Sequence, residues 1–185
     1  SYYMPLFSID ELDEVVLHEG YNTNRLRFAG LKLWVDGSTS SGSSWSLSPS
    51  VLDDEDYGSH YWTEEDLITV ISKAEENQLS IKFHTNGDAA IQTVLNAIEA
   101  QSSSVEQRYS LEHVALLDPE DYLRLYELGI CASVQSGIAS MGRFSDQADV
   151  WGEERMEQAW DFQALEEAEI TTLLGTDWPV WPTID

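Results

Sequence analysis

Apolar positions along this chain switch repeatedly between helical spacing and the spacing of buried strands. IDELDEVVLHEG at 9–20 keeps its apolar residues on one side and its acids on the other, and Gly20 ends the run, which predicts a helix. RFAGLKLWVDG at 27–37 reads as a strand that ends at Asp36-Gly37. Residues 38–60 lose all periodicity, are rich in Ser, Gly and Asp, and form a long loop of the kind that often carries function. A helix follows at 63–78, with Thr63 as N-cap and acids in its first turn, and then a strand at 79–85. The alternation continues with a helix at 87–101, capped by Asn86 or Asp88, and a strand at 108–114. The next helix spans 118–129, with Asp118 as N-cap, Pro119 in its first turn and Gly129 closing it. A strand at 130–135, a loop through GIASMGRFSDQADVWG, a helix at 153–169 and a last strand at 170–177 complete the pattern.

Strands that alternate with helices imply parallel pairing through right-handed crossovers. No GxGxxG follows a strand and no Walker loop is present, so neither phosphate-binding variant of the α/β class applies. The remaining architecture is a single domain over 1–185, a partial (β/α)8 TIM-type barrel of about five parallel strands.

Composition narrows the function classes. The hydrophobic fraction is 42%, with seven Trp and eight Tyr, which is globular composition. Nine basic residues against 34 acidic ones give a formal net charge of −25, so phosphate backbones and anionic membranes are repelled. Nucleic-acid and membrane partners are therefore not expected. The acidic coat serves solvation or attracts a cationic partner. Cys131 is the single cysteine, so no internal disulfide forms, and its apolar surroundings predict a buried small hydrophobe. No run reaches the ~20 apolar residues of a membrane span and no leader-like segment opens the chain, which points to the cytoplasm. Both ends, SYYMPLFSIDELDE and WPVWPTID, read as the interior of a longer sequence.

In a (β/α) barrel, chemistry sits at the C-terminal ends of the strands. Those ends carry Lys32 and Asp36, then His84, then Glu112 and His113, then Gln135, then Asp177. His84 and His113 are 29 residues apart, one βα unit. Imidazole and carboxylate groups suit a borderline divalent metal, zinc foremost. An ammonium is a poor ligand, but a lysine that has taken up carbon dioxide is an anionic carbamate able to bridge metals. Lys82 competes with Lys32 for that role, and His18 and His60 receive none. Trp34, Trp45, Trp178 and Trp181 near the rim are candidates for an apolar pocket.

Five words in order resemble the amidohydrolase superfamily, in particular its YtcJ-like branch. They are GLKLWVDGS (30–38), FHTNGDAAIQTVLNAIE (83–99), RYSLEHV (108–114), SVQ (133–135) and GTDWPV (175–180). The resemblance implies a metal-dependent hydrolase of C–N, amide-type bonds on a small-molecule substrate. By position, His84 and His113 would bind one metal, Lys32 as a carbamate would bridge two, and Asp177 would bind the second and act as general base. The resemblance places this chain at roughly strands four to eight of the barrel. The His-x-His pair that the superfamily carries on its first strand does not occur here, nor does its small β-domain. The Pro and His common after the Gln and the Arg-Thr-Ala common after Asp-Gly are also absent. The expectation is an incomplete catalytic domain, inactive alone, whose open sheet edges invite a homodimer or a swapped assembly. The alternatives are a regulatory or binding protein on a degenerate scaffold, since the branch includes names linked to exoenzyme production, and a plain α/β domain with structural histidines.

Overall fold

The computed structural model describes residues 1–16, 23–101, 109–143 and 147–178. Six strands form one parallel sheet: β1 (Tyr2–Leu6), β2 (Phe28–Trp34), β3 (Ser80–Thr85), β4 (Tyr109–His113), β5 (Cys131–Val134) and β6 (Thr172–Leu174). Each strand pairs with the next in sequence, so the sheet order is β1-β2-β3-β4-β5-β6. An order without reversal has no topological switch point, which separates it from a doubly wound sheet and fits an arc of a barrel. The sheet is open among the described residues, since β1 and β6 do not pair. The first strand is one more than the sequence pattern predicts. YYMPL contains a Pro and only one fully buried residue, Leu6, as suits an edge strand with no alternating signal of its own.

The helices are α1 (Leu12–Val16), α2 (Glu64–Glu76), α3 (Asp88–Gln101), α4 (Asp121–Glu127), α5 (Ser136–Arg143), α6 (Ala148–Trp151), α7 (Glu153–Gln158) and α8 (Phe162–Glu167). The outer part of the expected 9–20 helix, with His18, lies outside the described residues, as does Trp181. Thr63 caps α2 through a full capping box, exchanging hydrogen bonds with Asp66. Asp118 still caps its segment, accepting from the Glu120 N–H at 2.9 Å, but regular helix starts only at Asp121.

Two expectations fail around the last crossover. The stretch after β5 is helical (α5 and α6) rather than a loop, and the expected 153–169 helix is broken at Trp160, whose φ is 50°. The break has a tertiary cause. Trp160 turns inward against Trp151, ring centroids 5.9 Å apart, and its N–H bonds to Ala115 O at 2.9 Å. Both indoles are buried, and burying an aromatic of that size outweighs the few helix bonds lost.

The two faces of the sheet differ. Leu33, Phe83, Leu111 and Ala132 are register neighbours and pack under α2 and α3, which contribute Leu67, Ile71, Ile91 and Leu95 to the main core. The opposite face carries a polar row in register, Trp34, His84, Glu112 and Ser133, and beside it Lys32, Lys82, Ser110 and Cys131. Cys131 is therefore half-buried on the polar face, not the buried hydrophobe its apolar neighbours predict.

Candidate metal centre

The exit of β3 reads His84-Thr85-Asn86-Gly87-Asp88, and most of it serves to hold the long loop rather than to perform chemistry. Asp36, only 1% exposed, accepts the N–H groups of Asn86 (3.0 Å), Gly87 (2.8 Å) and Trp45 (3.1 Å). Burial pushes its carboxyl up to about 7, against the pull of those three donors. Asp88 accepts the Leu47 N–H at 2.8 Å. A Cβ on Gly87 would stand 1.8 Å from Trp45 O, so only glycine lets the loop lie on this turn. Sequence reasoning marked Asp36 as a strand end and missed its role. The Asp-Gly and Asn-Gly-Asp words lie 50 residues apart and are joined by these bonds.

Two histidines meet at the rim. By strand alternation His113 would share the apolar face with Leu111, but its φ of 82° takes it out of the pleat, and Val114 follows at 47°. A β-branched residue in the left-handed region costs on the order of 1–3 kcal/mol, strain of the kind that collects at functional sites. The turned ring lies 4.5 Å from His84, edge to face. Gln135 Nε2 donates to Ser133 O at 3.2 Å, which aims Gln135 Oε1 at His113 Nδ1, 2.8 Å away. Nδ1 is then the protonated nitrogen, and Nε2 holds the lone pair a metal needs. His84 Nε2 is engaged differently. It lies 3.1 Å from Gly37 O and 2.9 Å from Asn86 Nδ2, which is itself 2.9 Å from Gly37 O, so the three groups share one small network.

Both rings are neutral near pH 7. Burial, the neighbouring ring and Lys32 lower His84 to about 4, while burial and Lys32 lower His113 to about 4. Since the unfolded pKa is near 6.5, each ring contributes stability that is full above pH 6.5 and lost as the pH falls through 4. We expect both rings, followed by NMR with His→Gln variants for assignment, to titrate with midpoints roughly two units below an ordinary histidine. A midpoint near 6.5 for either would contradict the buried, neutral pair.

Lysine geometry separates the two candidates. Lys82 is held by Glu112 in an ion pair of 2.9 Å. Lys32, its register neighbour on β2, has an aromatic contact, its ammonium 5.6 Å from the Trp34 ring centroid. Burial lowers Lys32 to about 8, although Glu112 and Asp177 pull it up. At that value about a quarter of the amine is unprotonated near pH 7.5, against about a thousandth for an ordinary lysine. Asp177 stands past β6 with a φ of 54°, exposed, and reaches Lys32 and His84 only through its field.

The four predicted residues thus share one rim, but they do not form one tight cluster. Among the described residues no three His, Cys, Asp or Glu side chains converge as a ready cation site. The donor set fits a metal in part: one imidazole with its lone pair set by Gln135, a second beside it, and a lysine with accessible free amine.

A family model for amidohydrolases matches residues 8–184. The chain belongs to the amidohydrolase family. It is 27% identical over 157 residues to the protein YtcJ of Bacillus subtilis, an amidohydrolase by name, covering 85% of this chain and 30% of that one. Over 182 residues it is 26% identical to the Arabidopsis thaliana protein LONG AFTER FAR-RED 3, covering 96% of this chain and 31% of that one. The amidohydrolase chain described here therefore spans about a third of the length of these relatives. Its fold superposes on a metal-dependent hydrolase of Pyrococcus furiosus with a TM-score of 0.82 at 26% identity, covering 97% of this chain and 37% of the other. The similarity supports reading the open sheet as an arc of an amidohydrolase barrel. No helix among the described residues is long and apolar enough to cross a membrane.

Proposed function

We propose that this chain carries part of the active centre of a metal-dependent hydrolase of C–N, amide-type bonds. The observation that supports it best is the pair of neutral, contacting imidazoles, His84 and His113, delivered by successive strand ends of an amidohydrolase sheet. His113 through Nε2, and His84 through Nδ1 because its Nε2 is engaged by Asn86 and Gly37, are the imidazole ligands of a divalent metal, zinc by donor chemistry, with Asp177 as a further ligand. Such a metal supplies Lewis acidity toward the scissile carbonyl and makes water a nucleophile near neutral pH.

The chain's own residues have separate tasks. Gln135 fixes the His113 tautomer and Asn86 orients His84. The free amine of Lys32 attacks carbon dioxide, forming an N–C bond and releasing one proton to solvent, and the resulting carbamate is an anionic oxygen ligand. Asp177, at an exposed rim position, accepts the proton of the attacking water as general base.

Equilibrium dialysis against micromolar zinc, followed by elemental analysis, tests this. Uptake of zinc by the 185-residue chain is expected, with loss on chelation. A chain that takes up no zinc, alone or within a longer sequence that contains it, would overturn the proposal.

A further inference from the structure

Next to His84 the structure holds a recess of about 580 Å³. Its walls come from three stretches: Leu6 and Phe7 at the end of β1, Trp34 on β2 with Ser38, Ser41 and Ser43 in the loop that follows, and Tyr61 and Trp62 just after that loop. Phe7 and Trp34 stack nearly parallel, 5.5 Å apart with an interplanar angle of 10°. Leu6 and Trp62 are buried, but Phe7 is 68% and Tyr61 60% exposed. Large aromatics gathered around one recess differ from the scattered apolar residues any surface carries. The recess is also fixed in shape. The Tyr61 N–H donates to Val35 O at 3.0 Å, and the Gly37 N–H donates to Ser59 O at 3.2 Å, tying the end of the loop to the β2 exit.

The lining includes no Lys or Arg. Its one carboxylate, Asp36, is already committed to backbone N–H groups. The lining itself offers an anionic ligand no counter-ion, the Lys32 ammonium beside Trp34 already lies in the field of Glu112 and Asp177, and the chain carries a net charge of −25, while a cationic ligand finds no free carboxylate in the lining. What remains is an uncharged, flat, apolar group.

We propose that this recess is the specificity pocket of the His84 site and takes the uncharged aryl group of an amide substrate. The substrate assignment rests on the hydrolase reading, whereas the pocket itself rests on the aromatic walls. Flat rings are favoured over alkyl chains because they stack on the Phe7–Trp34 pair, a contact worth about two- to tenfold in affinity beyond buried area.

The test uses the whole 185-residue chain, titrated by NMR with phenylacetamide, hexanamide and phenylacetate. Phenylacetamide is expected to bind about fivefold or more tightly than either competitor. Trp34→Ala and Tyr61→Ala should each weaken it by a similar factor, and Trp34→Phe should retain most of the binding, with folding checked by circular dichroism. Equal binding of all three probes, no binding, or binding unchanged by Trp34→Ala would overturn the pocket. Zinc uptake measured on the same samples separates the two ideas. Aryl selectivity without zinc keeps the pocket and removes the metal centre, and zinc without aryl selectivity does the reverse.

Discussion

Replacing Asp36 with alanine should destabilise the fold by roughly 3–6 kcal/mol, because three buried backbone N–H groups lose their acceptor at about 1–2 kcal/mol each. The donors are Trp45 in the long loop and Asn86 and Gly87 at the β3 exit, so the loss also detaches the loop from the rim. Asp36→Asn separates hydrogen bonding from charge. Oδ2 takes the Trp45 and Gly87 N–H groups, and an amide oxygen in its place can keep both. The Asn86 N–H spans both oxygens, 3.0 Å from Oδ1 and 3.2 Å from Oδ2, so with the amide nitrogen in place of Oδ1 it keeps only the longer contact, and at most about a third of the alanine effect is expected. Denaturant unfolding with an unchanged slope against denaturant is the measurement. Two variants within about 1 kcal/mol of the parent would show that Asp36 is not the anchor.

The second large effect concerns metal uptake. His113→Ala removes the imidazole whose lone pair is set toward the rim, and zinc uptake should be abolished. Gln135→Leu leaves that imidazole in place but removes the acceptor of its Nδ1–H. The ring is then free to change tautomer and to rotate, and outer partners of this kind are worth about 10–100-fold in affinity. The two variants together distinguish ligation from packing. If His113 only fills space, Gln135→Leu will alter stability and leave zinc uptake untouched. The nitrogen chemical shifts of the His113 ring give a readout that needs no metal: Nδ1 protonated in the parent, a mixture of tautomers in Gln135→Leu.

Much of this protein is legible in its sequence, for local reasons. Helical and strand periodicities, the Thr63 cap and the Gly129 stop act within a few residues, and they gave the alternating architecture and put His84 and His113 at strand ends. The family words were readable for the same reason, since each is a short strand end and the turn after it. Edge strand β1 was not readable, because its Pro and its half-exposed pattern carry no period.

Only the tertiary structure decided the rest. It paired Lys82 with Glu112, 30 residues away in sequence, and set Lys32 against the Trp34 ring. It broke the last long helix at Trp160 because a buried aromatic contact competed with helix propensity and won. It turned His113 out of the strand pleat toward His84, and it made Asn86, Gly87 and Asp88 the clamp of the long loop. In each case the deciding energy lies between residues far apart along the chain, where local spacing carries no trace of it.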